Sequence, residues 1–276
     1  SALKNSSTLL LSPLEIDPIP PSYQFHPMIH RVTPDTKSRY NSDGFIDIFM
    51  NGIWNSMDDA TKASKAIANF LQKDVILVYN PTFGYFKDLF RAIGNKRSMK
   101  KGNAADLLYQ ITNHVMDLSS KDVRIWAHSE GALNTRIAFE EFPEAKRDRL
   151  TIFTFGGGEL VPNNYGRQVV NFISDCDTVA LNANAHILSY HSKEIKGLPS
   201  LSNSTTTFLM FWDKKKTHID HKYNVTILKS EKLFDHYFLG DTYQNALGLA
   251  DCAKRELKLE VKKGVGAEVE AYSFSD

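Results

Sequence analysis

Hydrophobic and polar positions along this chain follow two rhythms. Short β-type runs stand at Phe45–Phe49, Val75–Tyr79, Val123–Trp126, Leu150–Phe155 and Val169–Ile173. The most continuous of them, Val75–Tyr79, is what a strand buried on both faces requires. Between the runs, apolar residues recur at helical spacing. Met57, Ala60, Ile67 and Leu71 follow Ser56, which predicts a helix with a serine cap. Leu107, Leu108, Ile111, Val115 and Leu118 predict a second helix after Asn103, with Asp106 three residues on as a partial capping box. A third helix is expected from Glu130 to Phe142, ended by Pro143. Thr206–Trp212 and Asn224–Leu228 are later strand candidates. Asp241–Leu257 reads as a last helix, with Tyr243, Ala246, Leu247, Ala250, Ala253 and Leu257 on one side.

Strand and helix in alternation mean parallel crossovers. The predicted class is therefore α/β: a mostly parallel central sheet with helices on both faces. Sheets of this kind place their sites beyond the C-terminal strand ends, at a point where strand order reverses. Residues 1–43 break the rhythm. They hold Pro13, Pro18, Pro20, Pro21, Pro27 and Pro34, six of the ten prolines, and read as an extended N-terminal arm. The expected division is an arm at 1–43, an α/β domain at 44–260 and a C-terminal tail at 261–276.

Composition narrows the function. A chain of 276 residues, 42% hydrophobic and 24% charged, has the makings of a real core and is no disordered or fibrous protein. Lys+Arg 33 against Asp+Glu 32 leaves a net charge of +1, so no global field favours nucleic acid. Cys176 and Cys252 cannot form a disulfide framework. No apolar run approaches the ~20 residues of a membrane span, and the start at Ser1 lacks a signal-peptide pattern. The sequence as given reads as soluble.

The chemistry is expected after the strand Val123–Trp126, where Ala127-His128-Ser129-Glu130-Gly131 leads into a helix. This is a G-x-S-x-G nucleophile elbow with alanine in the first glycine position. A serine on a strained strand-to-helix turn needs small neighbours two positions away, and Ala127 and Gly131 meet that need. The partners follow in the chain order of an α/β-hydrolase: serine, acid, histidine. After Val169–Ile173 comes Ser174-Asp175-Cys176-Asp177-Thr178-Val179. Asp177 is the preferred acid, because Asp-x-Val is the usual form of this loop in lipase-like relatives; Asp175 is the reserve. After Asn224–Leu228 comes Phe234-Asp235-His236-Tyr237, which puts His236 where the general base belongs. An oxyanion needs preformed N–H donors. Glu130 N–H is one candidate; Ile53 N–H, in the loop Asn51-Gly52-Ile53-Trp54, is the other, with Trp54 in reserve.

Four segments resemble an uncharacterised α/β-hydrolase-like family found mainly in chlamydiae and their relatives. They are Phe49-Met50-Asn51-Gly52-Ile53, Val78-Tyr79-Asn80-Pro81-Thr82-Phe83-Gly84, His128-Ser129-Glu130-Gly131-Ala132 and Phe234-Asp235-His236-Tyr237-Phe238, the last continuing to Thr242-Tyr243. Order and spacing agree over residues 45–248. The resemblance implies a serine-hydrolase fold, matches Ser129 and His236, and sets the acid on Asp177; it implies no substrate.

These features predict a serine hydrolase of carboxyl esters, small-molecule or lipid, with no cofactor and no metal. Acyl transfer on the same triad and a non-catalytic binding protein are the alternatives. The stretch from Phe155 to Val169 is too short for a lid, so an open site is expected, covered if at all by Leu181–Tyr223, which is apolar at Phe208, Leu209, Met210, Phe211 and Trp212. Phe83, Tyr85 and Phe86 fit an acyl pocket or the core equally. His128 is expected to pack or shape the pocket. Gly156–Gly158 reads as a turn, since the spacing of a phosphate loop is missing. Pro27 spoils His26 and His30 as a helical metal pair, and His218 with His221 lack a third ligand. Lys96-Arg97-Lys100-Lys101 and Lys214-Lys215-Lys216 read as solvated faces, with peripheral contact to an anionic membrane as the minority reading.

Overall fold

A computed structural model describes residues 27–36, 43–52, 55–81, 103–199 and 221–255. Seven strands form one sheet: β1 (Met28–Val32), β2 (Phe45–Met50), β3 (Val75–Tyr79), β4 (Asp122–His128), β5 (Leu150–Phe155), β6 (Gln168–Ser174) and β7 (Val225–Leu228). Their order is β1-β3-β2-β4-β5-β6-β7. All neighbours from β3 to β7 are parallel; β1 alone runs antiparallel, on β3.

The helices among these residues are α1 (Met57–Leu71), α2 (Asn103–Leu118), α3 (Glu130–Glu140), α4 (Glu144–Arg147), α5 (Thr178–Ala183), α6 (Ala185–Tyr190) and α7 (Asp241–Arg255). α1 starts with a full capping box: Ser56 Oγ accepts from Asp59 N–H and Asp59 accepts from Ser56 N–H. Such a cap satisfies two end donors and contributes about 1 kcal/mol.

The sheet separates two cores, and the central strands feed both in alternation. From β4, Trp126 faces one side and Val123, Ile125 and Ala127 the other. From β5, Phe153 and Phe155 join Trp126, while Leu150 and Ile152 join Ile125. α1 packs Ala60, Ala63, Ile67 and Leu71 onto the Trp126 side, beside Tyr243, Ala246, Leu247 and Ala250 of α7. α2 packs Leu108, Ile111 and Val115 onto the opposite side with Phe139 of α3. Period-2 strands and 3.6-period helices therefore meet as three layers, an α/β-hydrolase fold.

One charged network interrupts the core, at the strand ends remote from the elbow. Arg124 on β4 stands opposite Asp47 on β2 and pairs with it at 3.0 Å. Asp47 also accepts from Trp126 Nε1 at 2.7 Å and meets Lys73 at 2.7 Å. Removing one partner would leave a buried charge uncompensated, the costly way to break such a network.

The chain leaves β2 for β3 on one side, then crosses back over β2 to β4 and continues outward to β7. Strand order thus reverses between β2 and β4, and the C-terminal ends of those two strands border the crevice.

Several features depart from the sequence reading. β1 lies within the proline-rich arm, where no strand is expected; Pro27 and Pro34 bracket its five residues and mask the signal. It holds the sheet edge by a full antiparallel register, Met28 opposite Tyr79 through Val32 opposite Val75. α3 ends at Glu140, two residues before Phe142. α5 and α6 are helices the pattern did not announce, short turns after β6 whose buried faces carry Ala180, Leu181, Ile187 and Leu188. The expected strand Thr206–Trp212 lies outside the described residues.

Candidate active site

Ser129 occupies the turn between β4 and α3 with φ 54 and ψ −120. A residue with a Cβ pays about 1–3 kcal/mol for such a backbone. The turn is held from several directions. Ser129 N–H donates to Phe155 O at 3.1 Å, and Ser129 O accepts from Ala132 N–H at 3.1 Å and Gly158 N–H at 2.7 Å. Across the crevice, a Cβ on Gly52 would stand 2.4 Å from the Ser129 Cβ, so no other residue allows β2 this close. Asn51 fixes that strand end: its amide donates to Asn80 O at 2.8 Å and accepts from Asn80 N–H at 2.6 Å.

His236 stands on the loop between β7 and α7. Its Nε2 lies 2.8 Å from Ser129 Oγ. Its Nδ1 lies 2.9 Å from both oxygens of Asp177. Residues 107 and 59 positions apart in sequence are thus joined in one hydrogen-bonded line, and all three are buried.

Asp177 is the N-cap of α5, where its Oδ1 accepts from Ala180 N–H at 2.9 Å. Negative charge is favoured at that end of a helix. Its Oδ2 accepts from the Tyr243 hydroxyl, whose oxygen in turn accepts from Ser174 N–H at 3.2 Å. Burial pushes the Tyr243 phenol well above its ordinary range, and the facing carboxylate adds to the shift. Tyr243 therefore stays a donor. Gly156, with φ +55, makes the room: a Cβ there would lie 2.4 Å from Asp177 Oδ2 and 2.7 Å from the Tyr243 oxygen. The Gly156–Gly158 stretch lies between the Asp177 carboxylate and the Ser129 backbone.

Asp175, the reserve acid, points elsewhere. It accepts from Ser230 N–H at 2.9 Å and pairs with Lys229 at 3.6 Å. The loops carrying Asp177 and His236 are stitched by Asp235, which accepts from Ser174 Oγ at 2.9 Å and donates its N–H to Cys176 O at 3.2 Å. Glu130 directly follows Ser129 as the first residue of α3. Ile53 and Trp54 lie outside the described residues, as do Phe83, Tyr85, Phe86, His26, His218, Phe208–Trp212 and both basic clusters. Among the described residues no group of three His, Cys, Asp or Glu side chains is disposed to hold a metal, and no helix is long and apolar enough to cross a membrane.

His128, beside Ser129, is buried, and its Nε2 lies 2.7 Å from the carbonyl oxygen of His236. Burial, then the facing His236 ring, push its imidazole down to about 3. An unfolded histidine titrates near 6.5. Between those values the unfolded chain binds the extra proton, so His128 makes the fold lose stability as pH drops from 6.5 towards 3. The slope approaches roughly 1 kcal/mol per pH unit. Urea midpoints measured from about pH 6.5 to 4.5 should fall less steeply for His128→Gln than for the wild type. Parallel slopes would refute a neutral, buried His128.

Two features of the site were hidden in the sequence. Tyr243 reads as one more apolar position on the last helix; the only hint was that a buried tyrosine needs a partner for its hydroxyl. Gly156 reads as a turn residue, and nothing local tells that its missing Cβ leaves space for an acid 21 residues later.

No family model matches the chain, and no curated protein matches it. Among solved structures similar to it is the dienelactone hydrolase of Anabaena variabilis, at TM-score 0.40 and 11% identity, covering 82% of this chain and 88% of that one. Another is a Xanthomonas campestris protein described as a member of the α/β serine hydrolases without a lid, at 0.33 and 10%, covering 73% and 100%. A third is mouse alpha/beta hydrolase domain-containing protein 10, at 0.45 and 10%, covering 84% and 96%. These likenesses concern the fold alone, and no residue role is taken from them.

Proposed function

We propose that this protein is a serine hydrolase that cleaves carboxyl esters through an acyl-enzyme, with Ser129 as nucleophile, His236 as general base and Asp177 as the acid that orients the base. One observation carries the reading: Ser129 Oγ, the His236 ring and the Asp177 carboxylate form a continuous line of contacts at 2.8 and 2.9 Å. A structural serine at a helix start has no need of this line. Its side chain would bond its own helix, whereas Ser129 makes no side-chain cap bond.

In this reading Ser129 Oγ attacks the ester carbonyl carbon while its proton passes to His236 Nε2. The C–O bond to the alcohol breaks as His236 returns the proton to the leaving oxygen. Water, deprotonated by the same nitrogen, then releases the acid and restores Ser129. Asp177 holds the Nδ1–H tautomer and stabilises the imidazolium of each step. Backbone N–H groups of Glu130 and Ile53, with Trp54 in reserve, are assigned to the oxyanion; such donors are typically worth 2.7–4 kcal/mol each.

The substrate class follows from the rim. The loop bearing His236 exposes Leu233 completely, and Phe234, Tyr237 and Leu239 in part. Exposed apolar side chains on the loop that carries the proposed base suit an acyl ester with a hydrophobic portion, lipid or otherwise. The test is turnover of chromogenic aryl esters of increasing acyl length, with stoichiometric inactivation by a fluorophosphonate. Turnover that ends at one bound probe per chain is expected. Folded protein with neither turnover nor probe uptake from about pH 6 to 9 removes the reading.

A further inference from the structure

We propose that His128 is a positioning residue: its Nε2–H, donated to the main-chain carbonyl of His236, ties the base to the strand that carries the nucleophile. This rests on the hydrolase reading above.

The bond has a fixed direction. A carbonyl oxygen only accepts, so His128 Nε2 carries the proton and Nδ1 is the lone pair. Nδ1 has no hydrogen-bond partner among the described residues, which fits this tautomer. A turned-over ring would set Cε1, not a nitrogen, against the His236 carbonyl and lose the bond. The ring packs between the His236 ring at 5.1 Å, Phe238 at 5.6 Å and Tyr243 at 6.2 Å, and Gly52 lies against Nδ1, where a Cβ would come within 2.9 Å.

The tie matters because of where its two ends are. His128 is the last residue of β4, the strand paired with β2 on one side and β5 on the other, and it adjoins Ser129 in the chain. His236 sits on residues 229–240, which form neither strand nor helix. Asp235 N–H joins that loop to the acid loop at Cys176 O. The bond from His128 joins it to the serine's own strand. Asp177 and the Asp235 bonds fix the base relative to the acid loop, and the His128 side chain, spanning from the residue before the nucleophile to the backbone of the base, fixes it relative to the serine, across the 2.8 Å gap between Ser129 Oγ and His236 Nε2. Misplacement of a reacting group by about 1 Å can cost on the order of 100-fold in rate.

The same geometry requires a neutral donor. His236 becomes an imidazolium during acyl transfer, and its ring centre lies 5.1 Å from that of His128. A second cation there would oppose that charge, and burial removes it.

Side-chain shape separates this role from packing. Glutamine carries its amide nitrogen at the reach of histidine Nε2 and keeps the donor. Asparagine carries it at the reach of Nδ1 and falls short of the carbonyl. Leucine fills space and donates nothing. Full-length wild type, His128→Gln, His128→Asn and His128→Leu are to be compared for kcat and KM on a soluble aryl ester, for the rate of fluorophosphonate uptake, and for urea midpoint. The expected result is a kcat for the Gln variant within about threefold of wild type. The Asn and Leu variants should fall about 10- to 100-fold in kcat and in probe uptake, with KM little changed. Equal rates for the Gln and Asn variants overturn the role of His128, whether both are active or both impaired. That comparison stands even if the Leu variant does not fold. A wild type that takes up no probe removes the hydrolase reading itself, while a reactive wild type with indistinguishable Gln and Asn variants removes only the tie.

Discussion

Replacing Ser129 by alanine is expected to abolish ester turnover, by a factor on the order of 10⁴ or more, with the fold intact. The size follows from what is lost. In the proposed reaction Oγ is the atom that forms the covalent bond, and it is the group His236 Nε2 faces at 2.8 Å. The survival of the fold follows from what is kept. Alanine retains the Cβ, so the φ of 54 is as strained in the variant as in the wild type and no new freedom enters the unfolded chain. The bonds that fix the turn, to Phe155, Ala132 and Gly158, belong to the backbone. A urea midpoint close to wild type together with lost turnover identifies the oxygen as the agent. Turnover within tenfold of wild type would mean that the chemistry lies elsewhere.

Asp177→Asn is expected to have the second largest effect, a loss of about 10³- to 10⁴-fold in kcat. The substitution keeps volume and changes charge and donor count. Asp177 offers two acceptor oxygens to three donors: Ala180 N–H, the Tyr243 hydroxyl and His236 Nδ1–H. With the Ala180 N–H held by the amide oxygen, the amide nitrogen faces the Tyr243 hydroxyl, and both amide atoms face His236 Nδ1. The Tyr243 donor is then opposed by another donor, and the amide N–H beside Nδ1 favours the His236 tautomer that turns a proton, not a lone pair, towards Ser129. The imidazolium also loses its counter-charge. Asp175→Asn supplies the contrast. Its carboxylate accepts from Ser230 N–H, which an amide oxygen does equally well, so activity within about threefold of wild type is expected. A large loss for Asp175→Asn with a small one for Asp177→Asn would move the acid two residues upstream.

Some of this was readable in the sequence for plain reasons. Val75–Tyr79 is apolar along its length, and Leu150–Phe155 is interrupted only by Thr151 and Thr154, because strands covered by helices on both faces are rich in apolar residues, and the strands take those bounds. The elbow residues stand out because a strained turn tolerates few neighbours. The choice between Asp175 and Asp177 rests on structure that sequence shows poorly. Both aspartates follow the same strand, and what separates them is that Asp177 starts α5 while Asp175 faces the chain after β7. α5 itself is only six residues long, too short for a periodic signal. β1 was obscured by flanking prolines. The bond from His128 to His236 joins a side chain to a backbone atom 108 residues away, and sequence pattern records no backbone acceptors.

The fold has placed rigidity unevenly. The Ser129 turn and Asp177 are held by main-chain bonds and by Tyr243, whereas His236 is carried on a loop. Gly52 against Ser129 and Gly156 against Asp177 are positions where the supporting segments approach closely and a larger residue would intrude. The line depends on that approach as much as on its own three residues.

Mass mapping of the protein after fluorophosphonate treatment is the most direct test of the central claim. The account predicts one adduct, on the peptide containing Ser129 and on that oxygen, absent after denaturation before treatment. Folded protein that carries no adduct, or carries it on another residue with Ser129 untouched, contradicts it.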